Sequence, residues 1–537
     1  MNNIRILDCT LRDGGYINNW CFGNRVIRKI LMYLSMARID LVECGFLWDT
    51  QYDVDRTVFN NMSQIKVLLP ENKQKCVAMI ALGEKEISYE KIPECDETII
   101  WGIRITFHKH EIGRAFTYAN NLMQKGYKIF MQPVGTCTYS DMELLELVNR
   151  VNELKPYAFY IVDTLGTITG TELLRIFQII DNNLDNKICI GFHAHNNLQL
   201  AFANAQELVQ TFTHRQIIID ASVKGMGRGA GNLCTELIAQ YLNNNLYTSY
   251  NVTALLEIID KYLNRIQEQH SWGYTTPYYL SAIHKCHPNY ATFLMNKQTL
   301  NVKDMEKIIA EIPSKKKGLY DKEYINLLYN KYQENSIDDK DTIIQLEEKM
   351  KSKEVLVLAP GKSLEYEKNK INSYININKP YIISINFSSD MYPENMIFIS
   401  NSKRFEDFDI SAASNKNKDI VVTSNINIGK CERIYKVNYS SYTNDDSIVS
   451  DNAGLMLCKL LMKCNVKKIA LAGFDGFISD FEKNYFSKDL SNKVDYSLLE
   501  IKNERMRIQF KKMRRDMNFI FVTESEYEKE TSNYEKI

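Results

Sequence analysis

Leu7-Asp8-Cys9-Thr10-Leu11-Arg12-Asp13-Gly14-Gly15-Tyr16 follows an apolar run, and so does Gly191-Phe192-His193-Ala194-His195-Asn196-Asn197 far downstream. Each reads as a buried strand that ends in polar side chains. Residues i and i+2 of a strand point to the same side, so His193 and His195 can face one site together. Asp13, just past the first strand, can add an oxygen ligand. Two imidazoles and a carboxylate leave positions open for water or a chelating substrate. That mix suits manganese, iron, cobalt or zinc, and magnesium less strongly. It points to metal-assisted carbonyl chemistry.

Outward from these two stretches, short β-rich runs alternate with longer amphipathic ones up to about residue 265. The strand candidates are Ile4–Thr10, Ile39–Gly45, Lys75–Ala81, Ile100–Phe107, Lys128–Pro133, Ala158–Asp163, Lys187–His193 and Gln216–Ala221. Such an alternation over this length fits a (β/α)8 barrel. Periodicity alone also admits an open doubly wound sheet. The barrel is preferred because polar residues gather at the C-terminal ends of the strands: Asp13, Glu43, Arg104 with His108, Gln132, Asp163, and His193 with His195. Active sites of barrels sit on that face.

Residues 266–350 are helical in pattern and strand-poor, and they end in a charged stretch, Ser336–Lys353. A second α/β pattern follows. Its strand candidates are Val355–Leu358, Tyr381–Asn386, Met396–Ser400, Ile420–Thr423 and Lys468–Leu471, with Phe519–Val522 as a closing strand. Ala453–Lys463 and Lys493–Arg515 read as helices. The expected fold is α/β throughout. An N-terminal TIM barrel (1–265) leads into a helical extension and linker (266–350), then a C-terminal Rossmann-like α/β domain (351–537) with an open, mostly parallel sheet.

The bulk composition narrows the function classes. A chain of 537 residues is too long for one ordinary domain. Lys+Arg and Asp+Glu are both 66, so no global basic excess suggests nucleic acid. None of the 12 Cys forms a C-x-x-C pair, which fits free thiols in a reducing cytoplasm. A strand opening at residue 4 leaves no room for a signal peptide, and no apolar run approaches a membrane span. Aromatic residues in an exposed helical extension suggest a homodimer.

Residues 7–15 and 191–197 resemble the metal-dependent barrel lyases and synthases that include 4-hydroxy-2-oxovalerate aldolase, hydroxymethylglutaryl-CoA lyase and isopropylmalate synthase. Their signature is a D-x-T-L-R-D-G strand end plus an H-x-H strand end. Gly225-Met226-Gly227-Arg228-Gly229-Ala230-Gly231-Asn232 resembles their Gly-rich loop. The resemblance covers roughly residues 1–300. It implies that Asp13, His193 and His195 hold the metal, with Asn232 a further ligand as in some members. Manganese comes first, with magnesium, cobalt or zinc as alternatives.

A 2-oxo acid can chelate such a cation, which stabilises the enolate formed when a carbon–carbon bond breaks or forms. Arg12 is the natural second cation for the enolate oxygen. Glu43 would orient the metal site or its waters, and Gln132 and Thr164 are candidate substrate contacts. A proton must also move at the substrate hydroxyl. The hydroxy-oxovalerate aldolases place a His three residues after the motif Asp, where this chain has Tyr16. With an unperturbed pKa of about 10, Tyr16 is a poor base. It either orients a water or shapes a pocket for a different aldehyde. His108, His110 and His284 are alternatives for the base. The CoA-using synthases carry G-x-G-E-R-x-G-N in the loop. Here Arg228 stands at the Glu position, closer to the aldolase form. The expected activity is a metal-dependent aldolase joining or splitting a pyruvate-type 2-oxo acid and an aldehyde. An acyl-CoA-dependent Claisen-type synthase and a non-catalytic metabolite-binding scaffold are the alternatives.

In the second domain, Ala359-Pro360-Gly361-Lys362-Ser363-Leu364 places a Gly-containing turn directly after a strand, where backbone amides can hold phosphate. It is neither G-x-G-x-x-G nor a P-loop. The downstream run Gly454–Gly476, together with Val355–Leu364, is similar to the nucleotide-sugar-binding fold of bacterial sialyltransferase-like and related surface-glycan proteins. The similarity implies a nucleotide or nucleotide-sugar ligand, contacts at Gly361, Lys362, Ser363 and Asp475, and a role in cell-surface polysaccharide biosynthesis. The last of the 8 His is His287, so a transferase needing a His base would lack one there.

Overall fold

The computed structural model describes residues 3–70, 74–389, 391–408, 417–428, 433–478, 484–487, 490 and 499–528. The chain divides into two compact units. One is Met1–Ala291 with Ile312–Tyr320, and the other is Thr292–Glu311 with Asp321–Ile537. The stretch expected as extension and linker is therefore shared between the two units.

The first unit is a parallel barrel. Its strands are β1 (Asn3–Asp8), β2 (Leu41–Leu47), a short β3 (Val58–Phe59), β4 (Lys75–Ala81), β5 (Gly102–Phe107), β6 (Lys128–Pro133), β7 (Ala158–Asp163), β8 (Cys189–Ala194) and β9 (Gln216–Ala221). β1 pairs with both β9 and β2, which closes the ring, and β3 only extends β2 at Phe46 and Leu47. All eight expected strands are present. β1 stops at Asp8 because Arg12 N and Asp13 N both donate to Cys9 O and turn the chain. The connecting helices follow from capping and periodicity. Helix Asp141–Leu154 opens on a reciprocal cap between Ser140 and Glu143, and it buries Leu144, Leu147, Val148 and Val151 on one face.

Strand alternation sorts the barrel's side chains into two layers. Ile103, Ile105, Phe159 and Ile161 point outward to the helices. Leu7, Leu41, Val77, Phe130, Tyr160 and Ile218 fill the interior. Gly191 makes room for one of them, because an added Cβ there would lie 2.2 Å from the Tyr160 ring. The interior is thus a packed floor beneath the strand C-termini.

The second unit holds a seven-stranded, all-parallel sheet of β10 (Val355–Leu358), β11 (Tyr381–Ile385), β12 (Met396–Ile399), β13 (Asp419–Thr423), β14 (Ile434–Val437), β15 (Lys468–Ala472) and β16 (Asn518–Phe521). The spatial order is β14-β13-β12-β11-β10-β15-β16. The chain therefore builds outward from β10 on one side, then returns to add β15 and β16 on the other. Val355, Val357 and Leu471 pack on one face with Leu457 and Leu461 of helix Ala453–Lys463. Leu356, Leu358 and Ile382 pack on the opposite face with Leu364 and Ile371. The edge strand β14 was not expected. The expected helix Lys493–Arg515 is observed as Leu499–Met513, and residues 493–498 lie outside the described residues. Among the described residues, no helix is long and apolar enough to cross a membrane.

Candidate metal centre

Asp13, His193 and His195 are buried, and each offers a ligand atom within 4.8 Å of the others. β8 delivers both His, and the turn after β1 delivers the Asp. His193 Nδ1 lies 3.0 Å from Asp220 Oδ2, so its hydrogen sits on Nδ1 and Nε2 is left as the ligand atom. His195 Nδ1 is buried without a hydrogen-bond partner, 3.9 Å from Asp13 Oδ2. Burial lowers His195 to about 3, against the pull of Asp13, so the imidazole is neutral, as a ligand must be. Burial alone would raise Asp13, but Arg12, His195 and His193 hold its carboxyl well below the usual range. Asn232 sits behind it, pairing with His195 as an isolated bridge and donating from Nδ2 to Asp13 Oδ2 at 2.6 Å. Its Oδ1 is buried and unpartnered. The loop glycine Gly227 permits this approach, since a Cβ there would lie 2.4 Å from Asn232 Nδ2 and 2.8 Å from Asp13 Oδ2. A neutral imidazole, a charged carboxylate and an orphaned amide oxygen fit a divalent cation.

A charge network lies beneath these groups. Arg12 donates from Nη1 to Asp13 Oδ1 at 2.6 Å and from Nε to Glu43 Oε2 at 2.8 Å. Arg104 Nη1 donates to the same Glu43 oxygen at 2.6 Å, and Arg104 Nη2 donates to Asp220 Oδ2. Burial would raise Asp220, but Arg104 and His193 keep it low. Glu43 is fully buried and braces two arginines.

Above the network is a cavity of about 100 Å³. Arg12, Asp13, His193 and His195 line it, with the expected Tyr16, Gln132, Thr164 and His108. Glu43 and Asn232 act from behind the wall. His110 and His284 are not among the lining residues. Thr164 Oγ1 accepts from Gly135 N at 2.9 Å, which ties it to the neighbouring loop. His108 Nε2 lies 3.6 Å from Glu84 Oε1 and draws Glu84 down to about 2.

Three site residues escape the sequence reading: Glu84, Asp220 and His287. Asp220 carried a usable signal, because alternation from Ile218 places it inside the barrel. Nothing local marks His287, which lies far along the chain in the helical stretch. His287 is buried against the Tyr320 ring, and its Nδ1 accepts from Asn289 N at 3.2 Å. Burial and then Arg228 lower it to about 3, so it is a neutral ring with its hydrogen on Nε2.

Tyr16 packs edge-on against Trp20 and Phe46, and Arg228 stands 5.7 Å from its ring centroid. Burial raises its pKa, outweighing Arg228 and Arg12, so the hydroxyl keeps its proton. Tyr16→Phe is therefore expected to lower turnover by about tenfold or less, the scale of one neutral hydrogen bond. Steady-state kinetics check this. A loss on the order of 10²-fold or more would restore Tyr16 as the proton-transfer group.

A closed parallel barrel that gathers Asp13, His193 and His195 beside Arg12 at the strand C-termini can support metal-assisted carbonyl chemistry. Residues 3–261, which include all of the barrel strands, match the HMGL-like family model. Curated relatives include a 4-hydroxy-2-oxovalerate aldolase of Bacillus cereus, 25% identical over 45% of this chain and 71% of the relative. An oxaloacetate decarboxylase of Mycobacterium tuberculosis is 25% identical over 44% of this chain and 69% of the relative. Among solved structures, the HMG-CoA lyase of Brucella melitensis is 14% identical with a TM-score of 0.40, covering 48% of this chain and 96% of that one.

In the second unit, Gly361 and Asp475 line a separate cavity, whereas Lys362 and Ser363 do not. Lys362 Nζ instead lies 3.1 Å from Glu365 Oε2. Ser363 donates to Asp475 from both N and Oγ.

Proposed function

We propose that the barrel is a divalent-metal-dependent aldolase that makes or breaks a carbon–carbon bond between a pyruvate-type 2-oxo acid and an aldehyde. The observation that carries this reading is Arg12. It is bonded to Asp13 of the metal triad and to Glu43, and it lines the same cavity as the triad. Asp13, His193 and His195 would hold the cation, manganese first, which would supply Lewis-acid polarisation of the substrate carbonyl when bound. Arg12 adds a fixed positive charge where the enolate oxygen develops. Its Nη2 is buried and has no hydrogen-bond partner among the described residues, which supports a role toward a bound group. Gln132 and Thr164 line the wall beside it and orient the 2-oxo acid.

With Tyr16 protonated, the donor at the aldehyde oxygen is assigned to His287. In the synthetic direction its neutral Nε2–H can donate a proton to the forming alkoxide and then regain one from solvent water. His287→Gln is expected to leave enolate formation within about twofold and to lower aldol turnover by roughly 10²–10⁴-fold. Equal losses in both assays would remove His287 from the proton path.

Loss of CO2 from a 2-oxo diacid is the second reading, favoured by the decarboxylase relative at the same identity as the aldolase. Both reactions pass through a pyruvate enolate. The test of the shared step is metal-dependent deuterium exchange into the methyl group of pyruvate, followed by NMR. Exchange that requires metal, Asp13 and Arg12 supports the proposal, and its absence overturns both readings. Aldehyde-dependent consumption of pyruvate then separates aldolase from decarboxylase.

For the second unit, we read the parallel sheet as a Rossmann-like domain that takes a nucleotide or nucleotide-sugar. Support comes from the reversal of strand order beside β10.

A further inference from the structure

The reversal of strand order between β10 and β15 leaves a gap where the loops after the two strands diverge, and ligands of such sheets bind there. Ala359-Pro360-Gly361 after β10 and Gly473-Phe474-Asp475-Gly476 after β15 both line a cavity of about 340 Å³. The two turns touch. Gly361 N donates to Gly473 O at 3.0 Å, and a Cβ on Gly473, at φ +78°, would lie 1.9 Å from Ala359 O. Any larger residue there would push the two turns apart.

Asp475 uses both carboxylate oxygens on Ser363, which latches one turn to the other. Asp451 accepts from Tyr329 Oη at 2.8 Å. Three cations line the same wall: Lys297, Arg404, whose Nη2 donates to Leu490 O at 2.5 Å, and Lys502, whose ammonium lies 5.8 Å from the Phe477 ring centroid. Lys297 makes no ion pair among the described residues, and its ammonium rests 4.6 Å from the Tyr329 ring centroid and 5.2 Å from that of Phe293. Burial lowers both Lys297 and Arg404 below their ordinary values, a cost that a bound anion would offset. Ala453 and Gly454, the first residues of an 11-residue helix, reach the same wall, and their amides donate to no group among the described residues. Phe474, Phe477, Tyr485 and Tyr527 add aromatic surface.

We propose that this crevice binds a nucleoside phosphate, with the phosphate at Lys297, Arg404, Lys502 and the opening amides of helix Ala453–Lys463, and the base against the aromatic side chains. The proposal rests on the nucleotide reading of the second unit and is independent of the barrel chemistry. It moves the contacts away from Lys362 and Ser363, which hold the turn instead.

The test is calorimetric titration of the full chain with CMP, UMP, AMP and GMP, with the matching nucleosides, and with inorganic phosphate. At least one nucleotide is expected to bind saturably, about tenfold or more tightly than its nucleoside, because charge-assisted hydrogen bonds are worth that much. Lys297→Met should weaken that nucleotide about tenfold and leave the nucleoside within about twofold. Lys502→Gln carries the same expectation and stands in if circular dichroism shows the first variant unfolded. Nucleotide binding unchanged in both variants would overturn the phosphate assignment while leaving the nucleotide reading intact. Binding by none of the four nucleotides would overturn both. Phosphate binding as tight as nucleotide binding would overturn the nucleoside part. Binding lost in Asp13→Asn but kept in Lys297→Met would place the ligand in the barrel and overturn the crevice.

Discussion

Asp13→Asn and His195→Ala each abolish tight divalent-metal binding and lower pyruvate enolisation on the order of 10³-fold or more; these are the expected results if the triad is the catalytic centre. Asp13 is the only carboxylate of the triad, and its charge is kept by Arg12. Asn at that position keeps the shape but gives up the charge and leaves Arg12 one partner short. His195 contributes an imidazole that burial keeps neutral, with an Nδ1 that no protein group satisfies. Alanine there removes the ligand and opens a polar void. Calorimetry with Mn2+ and NMR-detected deuterium exchange read the two effects separately. Exchange that persists within about tenfold in both variants, with metal removed, would sink the assignment of the triad.

The second large effect is on stability. Arg104 is fully buried and bridges Glu43 and Asp220 inside the barrel. Arg104→Met leaves two carboxylates in the interior without their shared counter-charge. Breaking a buried pair in this way costs about 3–5 kcal/mol, which lowers the barrel's unfolding temperature by roughly 10 °C. Differential scanning calorimetry checks it, and a shift under about 3 °C would contradict the estimate. In molecules that still fold, metal affinity should fall roughly 10- to 100-fold, because Arg104 no longer keeps buried Asp220 ionised and its hold on the ligating tautomer of His193 weakens. Arg104→Lys keeps the charge but loses the fork that reaches both acids, so it should recover only part of the stability.

Much of this is readable from the chain alone, and the reason is physical. Parallel barrel strands are apolar on both faces, so Ile100–Phe107 and Gln216–Ala221 stand out from their surroundings. Active-site residues cluster where such runs end, which exposes Asp13, His193 and His195. The parts that stay hidden depend on distance or on partial burial. Arg104 and Asp220 meet across 116 residues, and no local pattern encodes that pairing. β14 reads Ile-Tyr-Lys-Val and is half-buried at a sheet edge, so it lacks the apolar run that betrays a central strand. His287 reaches the cavity from a helical stretch whose periodicity speaks only of packing. Lys362 and Ser363 looked like phosphate ligands because a Gly-Lys-Ser turn fits one. In three dimensions each is already occupied by a neighbouring carboxylate.

The division of the chain bears on how this protein could ever be taken apart. The polypeptide leaves the barrel unit after Ala291, comes back for Ile312–Tyr320, and leaves again. That returning loop supplies Gly318 and Leu319 to the barrel cavity, and Tyr290 Oη pins it by donating to Lys316 O and Leu319 O at 2.9 and 2.8 Å. A barrel released by a single cut at residue 291 would carry its metal ligands but an unfinished wall. Gene fission or a proteolytic nick at that point would leave the barrel without Gly318 and Leu319, so no single cut parts the two units with the cavity wall whole.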